Sequence, residues 1–188
     1  MTTSLIDGDL IAYRCAAVNE KADAGLAAWQ TDQLIARILE DVNADDWRIY
    51  LSGDNNYRYT IFPDYKANRR DKPKPRHLEH VREYLVLEHN ATIADGCEAD
   101  DELGIEGTRI GADGAIICSL DKDLLQVPCT HYNFVRRELR QITPAEGLRN
   151  FYEQVLIGDA TDNVHGCRGI GKAKAPKVLA ECSDEHSY

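Results

Sequence analysis

Short apolar runs rich in β-branched residues alternate along the chain with longer segments in which apolar residues recur every three or four positions. Runs of the first kind predict buried strands, and segments of the second kind predict helices with one apolar face. The predicted strands are Ser4–Ile6, Arg48–Leu51, Ala91–Ala94, Ala115–Cys118 and Thr130–Val135. Because alternating strands and helices build parallel sheets covered by helices, the pattern predicts an α/β fold with a mainly parallel central sheet flanked by helices.

Four segments have the spacing of helices that bury one face. Two are marked by recurring apolar residues, which are Trp29, Leu34, Ile35, Ile38, Leu39 and Val42 in the first and Leu78, Val81, Leu85 and Val86 in the second. Glu98–Ile110 is the third predicted helix and Pro144–Ile157 the fourth. Thr143 is expected to cap the fourth helix, because its hydroxyl can accept from a free backbone N–H and proline suits the first turn. Two prolines among charged residues at 71–75 predict a loop.

Composition adds limits on the class of protein. The chain has 188 residues, 43% of them hydrophobic, which suits one domain, or one domain with a small appendage, around a real core. No apolar run approaches the roughly 18 residues of a membrane span, and the first residues lack the basic and apolar segments of a signal peptide. The six cysteines form no C-x-x-C pair, so we expect reduced thiols and no zinc. These features predict a cytoplasmic protein without a membrane partner.

The formal net charge of −10 is unusual for a protein that binds nucleic acid, because neutralising phosphates requires lysine and arginine. The basic residues are nevertheless concentrated in two stretches. Seven lie between Lys66 and Arg82, where only Asp71 and Glu79 oppose them, and the second stretch contains Arg168, Lys172, Lys174 and Lys177. Each stretch alone is explained as a solvated surface. Divalent ions, however, can reverse the local field of an acidic protein and allow it to bind a polyanion.

The acids lie where strands end or helices begin. Asp7 and Asp9 follow the first strand, Asp54 follows the second, and Asp121 and Asp123 follow a later one. Further pairs spaced three apart are Glu98 with Asp101 and Asp159 with Asp162. Each pair alone is explained by helix capping. Ligand sites of parallel sheets lie at the carboxyl ends of strands, so these acids are expected to converge, and crowded carboxylates require cations such as Mg²⁺ or Mn²⁺.

Five motifs stand in the order found in one family of nucleases. They are Asp7-Gly8-Asp9, Phe62-Pro63-Asp64-Tyr65-Lys66-Ala67-Asn68-Arg69, Glu98-Ala99-Asp100-Asp101, Leu120-Asp121-Lys122-Asp123-Leu124-Leu125-Gln126 and Gly158-Asp159-Ala160-Thr161-Asp162-Asn163. With these motifs the chain, from Ser4 to about Leu179, resembles the flap endonuclease and 5′-3′ exonuclease family, and most closely its phage and bacterial members. The resemblance implies a PIN-like 5′-nuclease fold. It also implies a bacterial cytosol, or the cytosol of a phage-infected host, as the place of action.

The resemblance implies two metal sites that bind Mg²⁺ or Mn²⁺. Ligands of the first ion would be Asp7, Asp54, Glu98 and Asp100, and ligands of the second would be Asp121, Asp123, Asp159 and Asp162. Asp101 matches a further acid of the set, whereas Asp9 is expected to be a helix N-cap. The implied chemistry is two-metal hydrolysis of DNA phosphodiester bonds, in DNA replication or repair.

The resemblance also assigns cationic and DNA-binding residues. Tyr65, Lys66 and Arg69 match residues that face the scissile phosphate, with Lys66 and Arg69 projecting from one face of a helix and Tyr65 able to stack on an unpaired base. Arg58 matches a further phosphate contact. Gly166–Ala175 resembles a helix–three-turn–helix DNA-binding element, in which Arg168, Gly169, Ile170, Gly171, Lys172 and Lys174 would contact duplex backbone and could hold K⁺.

These assignments divide the chain into a PIN-like catalytic domain at 1–157 and a DNA-binding element at 158–188. DNA with a 5′ end, nick or flap is the expected partner, bound without sequence preference, and no obligate protein partner is evident. Two alternatives remain open. Asp7-Gly8-Asp9 with Gly158-Asp159 and Asp162 also resembles the motifs of haloacid-dehalogenase-type phosphatases, and a DNA-binding module that no longer catalyses would share the basic stretches.

Overall fold

A six-stranded sheet forms the centre of the computed structural model, which describes residues 1–182 and 184–188. Its strands are β1 (Thr3–Asp7), β2 (Asp46–Leu51), β3 (Thr92–Ile93), β4 (Ala115–Cys118), β5 (Thr130–Asn133) and β6 (Glu138–Gln141). They are arranged in the order β3-β2-β1-β4-β5-β6. All neighbouring pairs are parallel except β5 with β6. The predicted mainly parallel α/β sheet is therefore confirmed.

Helices cover both faces of this sheet. One face packs against α1 (Gly8–Val18), α2 (Ala24–Val42) and α4 (Leu78–His89), and the other packs against α5 (Ala99–Ile110). Successive strand residues point to opposite faces, so within β1 the side chain of Ile6 belongs to the first core and that of Leu5 to the second. The sheet is thus held between two packed layers.

Helix α1, the four-residue helix α3 (Arg58–Ile61) and strand β6 are among the elements that were not predicted. Helix α1 buries Ile11, Ala12, Cys15 and Ala16, and three of these four are small residues that give only a weak apolar pattern. Strand β6 is exposed along its whole length, and it is recruited by pairing with β5 rather than by an apolar face. The predicted strand Thr130–Val135 accordingly ends at Asn133, where the chain turns back.

The fourth predicted helix forms with the expected boundaries. Helix α6 spans Pro144–Ile157, and its first turn is closed by a reciprocal pair of bonds. Glu146 N donates to Thr143 Oγ1 at 3.2 Å, and Thr143 N donates to Glu146 Oε2 at 2.9 Å. These bonds satisfy two backbone donors that a helix start otherwise leaves free.

After α6 the chain doubles back on the end of that helix. Strands β7 (Gly158–Asp159) and β8 (Val164–His165) pair antiparallel, and Cys167 N donates to Leu156 O at 2.8 Å. A turn and then the four-residue helix α7 (Ala175–Val178) follow. In the residues that the structure describes, a helix–three-turn–helix is therefore not observed at Gly166–Ala175, although α7 does pack on α6. None of the described helices is both long and apolar enough to cross a membrane.

Gly8 joins β1 to α1 at a close contact with β2, which suggests a stability test. A Cβ added at Gly8 would lie 2.6 Å from Tyr50 O and 2.8 Å from Ile49 Cγ2. We expect Gly8→Ala to lower the free energy of unfolding by about 1–3 kcal/mol, because backbone must move to relieve the overlap. Urea unfolding followed by circular dichroism measures the change.

Gly104→Ala is the matched control for this substitution. Gly104 lies within α5, and its added Cβ would make only an ordinary 3.8 Å contact with Val127. Alanine is the better helix former, so this variant should gain about 0.5–1 kcal/mol. Equal unfolding free energies for the two variants would contradict the close approach of α1 to β2.

Candidate active site

A cavity of about 1470 Å³ opens where β1, β2 and β4 end, and most of the predicted acids line it. Those on its wall are Asp7, Asp54, Glu98, Asp100, Asp121, Asp123, Asp159 and Asp162. Arg58, Tyr65, Lys66 and Arg69 line the same cavity. The structure therefore brings together residues that are up to 155 positions apart in the sequence, counted from Asp7 to Asp162.

Asp7, Asp100 and Asp121 carry the least compensated negative charge in this cavity. Burial raises the pKa of Asp100 to about 8, and the neighbouring Asp7 and Asp121 add to the effect. Burial likewise raises the pKa of Asp7 to about 6 and raises that of Asp121. Across residues 1–182 and 184–188, none of these three carboxylates forms an ion pair.

Short bonds at the strand ends hold Asp7 in place. Its side chain is the N-cap of α1, where Oδ1 accepts from Leu10 N at 3.0 Å, and Oδ2 accepts from Ser119 Oγ at 2.7 Å. Ser119 Oγ in turn accepts from Asp121 N at 3.0 Å. The N-cap expected at Asp9 is therefore wrong, because Asp7 is the residue whose carboxylate faces the free N–H groups of α1.

Asp9 instead forms an ion pair with Arg82 and accepts from Ser52 N at 2.9 Å. Arg82 also donates to Ser52 O, so one guanidinium joins the start of α1, the end of β2 and helix α4. Arg82 belonged to the first basic stretch of the sequence. In the structure its charge is used to hold three elements together at the rim of the cavity.

Glu98 and Asp162 are held by the predicted cationic residues. Lys66 Nζ donates to Glu98 Oε1 at 2.6 Å, and Arg69 donates to Asp162 Oδ1 at 2.8 Å. The Tyr65 hydroxyl donates to Glu98 Oε2 at 2.7 Å and lies 2.9 Å from Asp162 Oδ2. Burial and these two carboxylates raise the pKa of Tyr65 far above its usual range. One tyrosine thus ties the two acids together.

The local structure of this segment differs from the prediction in two ways. Lys66 and Arg69 do not project from an α-helix, because Lys66 has φ 52° and precedes a short 3₁₀ turn at Ala67–Arg69. The ring of Tyr65 is only 5% exposed, so in this structure it has no free face on which a base could stack. Tyr65 is placed to orient carboxylates.

The segment from Asp64 to Arg69 is clasped by the loop between β7 and β8. Lys66 N donates to Asp162 O at 3.0 Å, and Arg69 Nε donates to Thr161 O at 3.0 Å. Asn68 Nδ2 donates to Ala160 O at 2.9 Å, and Asn163 Nδ2 donates to Asp64 O at 3.0 Å. These four hydrogen bonds, each accepted by a backbone oxygen, fix the distance between the cationic segment and the loop that carries Asp159 and Asp162.

Lys122 is a residue of the cavity that the sequence reasoning did not assign. Its Nζ donates to Asp123 Oδ1 at 2.7 Å and to Asp159 Oδ2 at 2.7 Å. Burial would raise the pKa of Asp159, but hydrogen bonds from Lys122 and from Thr161 N outweigh it and lower the pKa to about 2. The position of Lys122 between Asp121 and Asp123, two acids already assigned to the site, was the signal in the sequence that could have identified it.

Arg58 and Asp101 pair with each other. The guanidinium donates to both Asp101 oxygens at 2.5 and 2.7 Å, and Asp101 Oδ2 also accepts from Glu98 N at the start of α5. Burial alone would raise the pKa of Asp101, but Arg58 and Glu98 N lower it. Asp101 is therefore an anchor for Arg58 and does not line the cavity. Asp54, by contrast, lines the cavity and is exposed.

Four of the acids that line the cavity are in contact with basic side chains. In the described part of the chain, no three Asp, Glu, His or Cys side chains are arranged so that they could hold one metal ion without moving. Lysine and arginine groups instead neutralise Glu98, Asp123, Asp159 and Asp162. Carboxylates held by flexible cations can turn towards other cations without a change of fold.

The predicted DNA-binding residues lie on the surface beyond β8. Arg168, Gly169, Gly171, Lys172 and Lys174 are exposed, and Lys174 Nζ donates to Gly169 O at 2.9 Å. Gly169 has φ +79°, which favours glycine, whereas Gly171 has an ordinary φ. A Cβ added at either glycine would meet nothing within 4 Å. The space next to the Cα atoms of both glycines is therefore open to solvent.

Comparison with known proteins identifies the family. The family model described as 5′-3′ exonuclease, N-terminal resolvase-like domain, matches residues 2–153. DNA polymerase I of Bacillus caldotenax is 27% identical over 204 residues, which cover 94% of this chain and 23% of the polymerase. A protein named 5′-3′ exonuclease from Buchnera aphidicola is 27% identical over 203 residues, covering 96% of this chain and 70% of that protein. The chain thus spans less than a quarter of the polymerase.

A solved structure shares the fold. The bacteriophage T5 D15 flap endonuclease, crystallised as a pseudo-enzyme-product complex with DNA and metal ions, superposes with a TM-score of 0.80 at 18% identity, covering 100% of this chain and 77% of that one. At this identity the likeness establishes the fold. Together with the family model, which accounts for most of the sequence, it shows that the chain belongs to the 5′-3′ exonuclease family.

Proposed function

We propose that this protein is a divalent-metal-dependent 5′-nuclease that hydrolyses DNA phosphodiester bonds from 5′ ends or at 5′ flaps. The observation that carries the proposal is the group of Asp7, Asp100 and Asp121 at the carboxyl end of a parallel sheet. Asp7 is buried, the other two are half-buried, and none of the three forms an ion pair among the described residues. The names of the relatives support the reaction class, since one is a 5′-3′ exonuclease and one is a flap endonuclease crystallised with DNA.

The donor set fits hard divalent cations. Carboxylate oxygens are the ligands that Mg²⁺ and Mn²⁺ prefer, and mutual repulsion among Asp7, Asp100 and Asp121 is relieved when a cation binds between them. We assign Asp7, Asp54, Glu98 and Asp100 to a first ion and Asp121, Asp123, Asp159 and Asp162 to a second. When bound, the two ions would supply an activated water and neutralise charge on the scissile phosphate.

The side chains of the protein perform the remaining tasks. Lys66 and Arg69 line the same cavity as Asp7, Asp100 and Asp121, so their positive charge would polarise a phosphate bound in that cavity. Tyr65 holds Glu98 and Asp162 in fixed orientation through its hydroxyl. Arg58 supports this group by anchoring Asp101 beside Glu98, and it remains a candidate phosphate contact if Asp101 is released.

The surface beyond β8 is proposed to bind duplex DNA. Arg168, Ile170, Lys172 and Lys174 with the two flanking glycines would contact backbone phosphates without reading sequence, and a K⁺ ion could share that turn. This assignment keeps the division into a catalytic domain at 1–157 and a DNA-binding element at 158–188. The sites of action would be DNA replication or repair in a bacterial cytosol or an infected host cell, as suits relatives from bacteria and a phage.

The phosphatase alternative is disfavoured by the surroundings of Asp7. A nucleophilic aspartate has to reach the substrate phosphorus atom, whereas Asp7 is only 2% exposed and its carboxylate caps α1. That alternative also leaves Lys66 and Arg69 without a role. A non-catalytic DNA-binding module would have no need for three mutually repelling carboxylates, one buried and two half-buried, which cost stability unless they bind cations.

Metal dependence is the first test of the proposal. End-labelled 5′-flap, nicked and single-stranded DNA should be cleaved with Mg²⁺ and left intact in excess chelator. Asp121→Ala should lower the single-turnover rate by at least about 100-fold, the scale on which electrostatic groups act. Undiminished cleavage in chelator would contradict the proposal, and hydrolysis of a phosphomonoester without cleavage of DNA would favour the phosphatase.

Repulsion among the buried acids also predicts a pH dependence of stability. The pKa of Asp100 rises from 3.8 to about 8 on folding, so the stability associated with its neutral form is complete below pH 4 and is lost as pH rises towards 8. In chelator, the melting temperature of Asp100→Asn should therefore exceed that of the native protein by about 3 °C or more at pH 8. The two proteins should agree more closely near pH 4.

Asp113→Asn controls for the change in net charge, because Asp113 is exposed just before β4, at the opposite end of the sheet. Thermal unfolding at several pH values, with and without Mn²⁺, provides the comparison. A melting difference between Asp100→Asn and the native protein that does not vary with pH would show that Asp100 is not under electrostatic strain.

The turn at Gly169–Gly171 can be tested separately from the chemistry. Gly171 needs no special backbone conformation and has free space around its Cβ position. Gly171→Val should therefore fold normally yet weaken binding to nicked or flapped DNA by about tenfold, while binding of short single strands changes less. Lys172→Ala should flatten the salt dependence of duplex binding by about 0.9 in slope for one lost phosphate contact. Unchanged affinities and salt slopes would show that the turn is only a connector.

A further inference from the structure

Lys122 joins two loops that the proposed function places on either side of the second ion. Its ammonium lies 2.7 Å from Asp123 Oδ1, in the turn after β4, and 2.7 Å from Asp159 Oδ2, in β7. The Asp159 side chain is 12% exposed, whereas the lysine side chain is 58% exposed. The cation thus reaches the acids from the solvent side of the cavity.

A positive charge is required at this point when no metal is bound. Two carboxylates that share one neighbour would otherwise repel each other across a partly buried space. An ammonium suits the position because it is a compact charge with three donors on a flexible stem, and two of those donors are used here.

An ammonium in contact with both acids opposes a divalent ion at the same place. The Lys122 charge lies 2.7 Å from one oxygen of Asp123 and of Asp159, so it repels a cation that approaches both carboxylates, and the ion binds more readily once the ammonium has moved away. Because the lysine stem is mostly exposed, it can swing into solvent without disturbing the core. Among the ion pairs of the described residues, one of the four acids assigned to the first ion is paired, which is Glu98, whereas three of the four assigned to the second ion are paired, which are Asp123, Asp159 and Asp162.

We propose that Lys122 is a built-in counter-ion that occupies the place of the second divalent ion. It links Asp123 to Asp159 in the metal-free protein and weakens the affinity of these carboxylates for that ion. Neither partner of Lys122 is assigned to the first ion, so Lys122 opposes only the second ion, which we expect to bind more weakly than the first. This inference rests on the proposed function in one respect, which is that divalent ions bind to these acids.

Direct titration with Mn²⁺ tests the proposal without any measurement of cleavage. The chelator-treated full chain is titrated while free Mn²⁺ is followed by electron paramagnetic resonance, which resolves tighter and weaker binding. In Lys122→Met we expect the weaker class to tighten by at least tenfold, and the tighter class to change by less than twofold. Lys21→Met is the matched control, since Lys21 is an exposed lysine in the turn between α1 and α2 and its loss changes the net charge equally.

Thermal unfolding of the same proteins gives an independent readout. In chelator Lys122→Met should melt below the native protein, because two carboxylates lose their shared cation, and Mn²⁺ should raise its melting temperature more than it raises that of the native protein. Should Lys122→Met fail to fold, Lys122→Arg keeps the charge and should bind the weaker ion no more tightly than the native protein.

The outcomes separate the two proposals. Equal affinity of the weaker class in the native protein and in Lys122→Met, or equal tightening in Lys21→Met, overturns the role of Lys122 while leaving the nuclease proposal intact. Tightening in Lys122→Arg also overturns that role. Absence of any Mn²⁺ binding overturns both proposals together.

Discussion

The carboxylate of Asp7 is buried at the end of the central strand, beside two other acids whose charges it repels, and the rest of the site is arranged around that electrostatic conflict. The fold creates it, because β1 lies between β2 and β4 and each of these parallel strands ends at the same edge. Two ordinary hydrogen bonds hold Asp7 but cannot neutralise it. A cation arriving between these acids is the simplest relief.

Around this centre the basic residues fall into two groups with different tasks. Arg82 and Arg58 form ion pairs that fix helix ends and strand ends, and their charges are used for structure. Lys66, Arg69 and Lys122 instead contact acids that are proposed metal ligands. These three cations compensate only part of the acid set, and the carboxylates that they hold would have to be released for ions to bind.

The loop between β7 and β8 shows how strongly the site depends on contacts between distant parts of the chain. Four hydrogen bonds tie it to the segment from Asp64 to Arg69. The two that asparagine side chains donate join residues 92 and 99 positions apart in the sequence. Tyr65 then bridges Glu98 and Asp162 from within that clasp. The geometry of the cationic wall is therefore set jointly by two segments, and a change in either would displace the other.

The sequence by itself determined the parallel α/β sheet, the boundaries of α6 and the set of acids at the strand ends. These features follow from local rules, because strand and helix periods, capping residues and the common edge of parallel strands are properties of short segments. Those rules did not identify strand β6, which is exposed, or helix α1, whose buried face consists mostly of small residues. Tertiary structure alone decided which acid pairs with which base: Asp7 rather than Asp9 caps α1, Lys66 adopts a left-handed conformation, and Lys122 bridges Asp123 and Asp159. The physical reason is that ion pairing depends on distance in space, which sequence spacing reports only within one helix or turn.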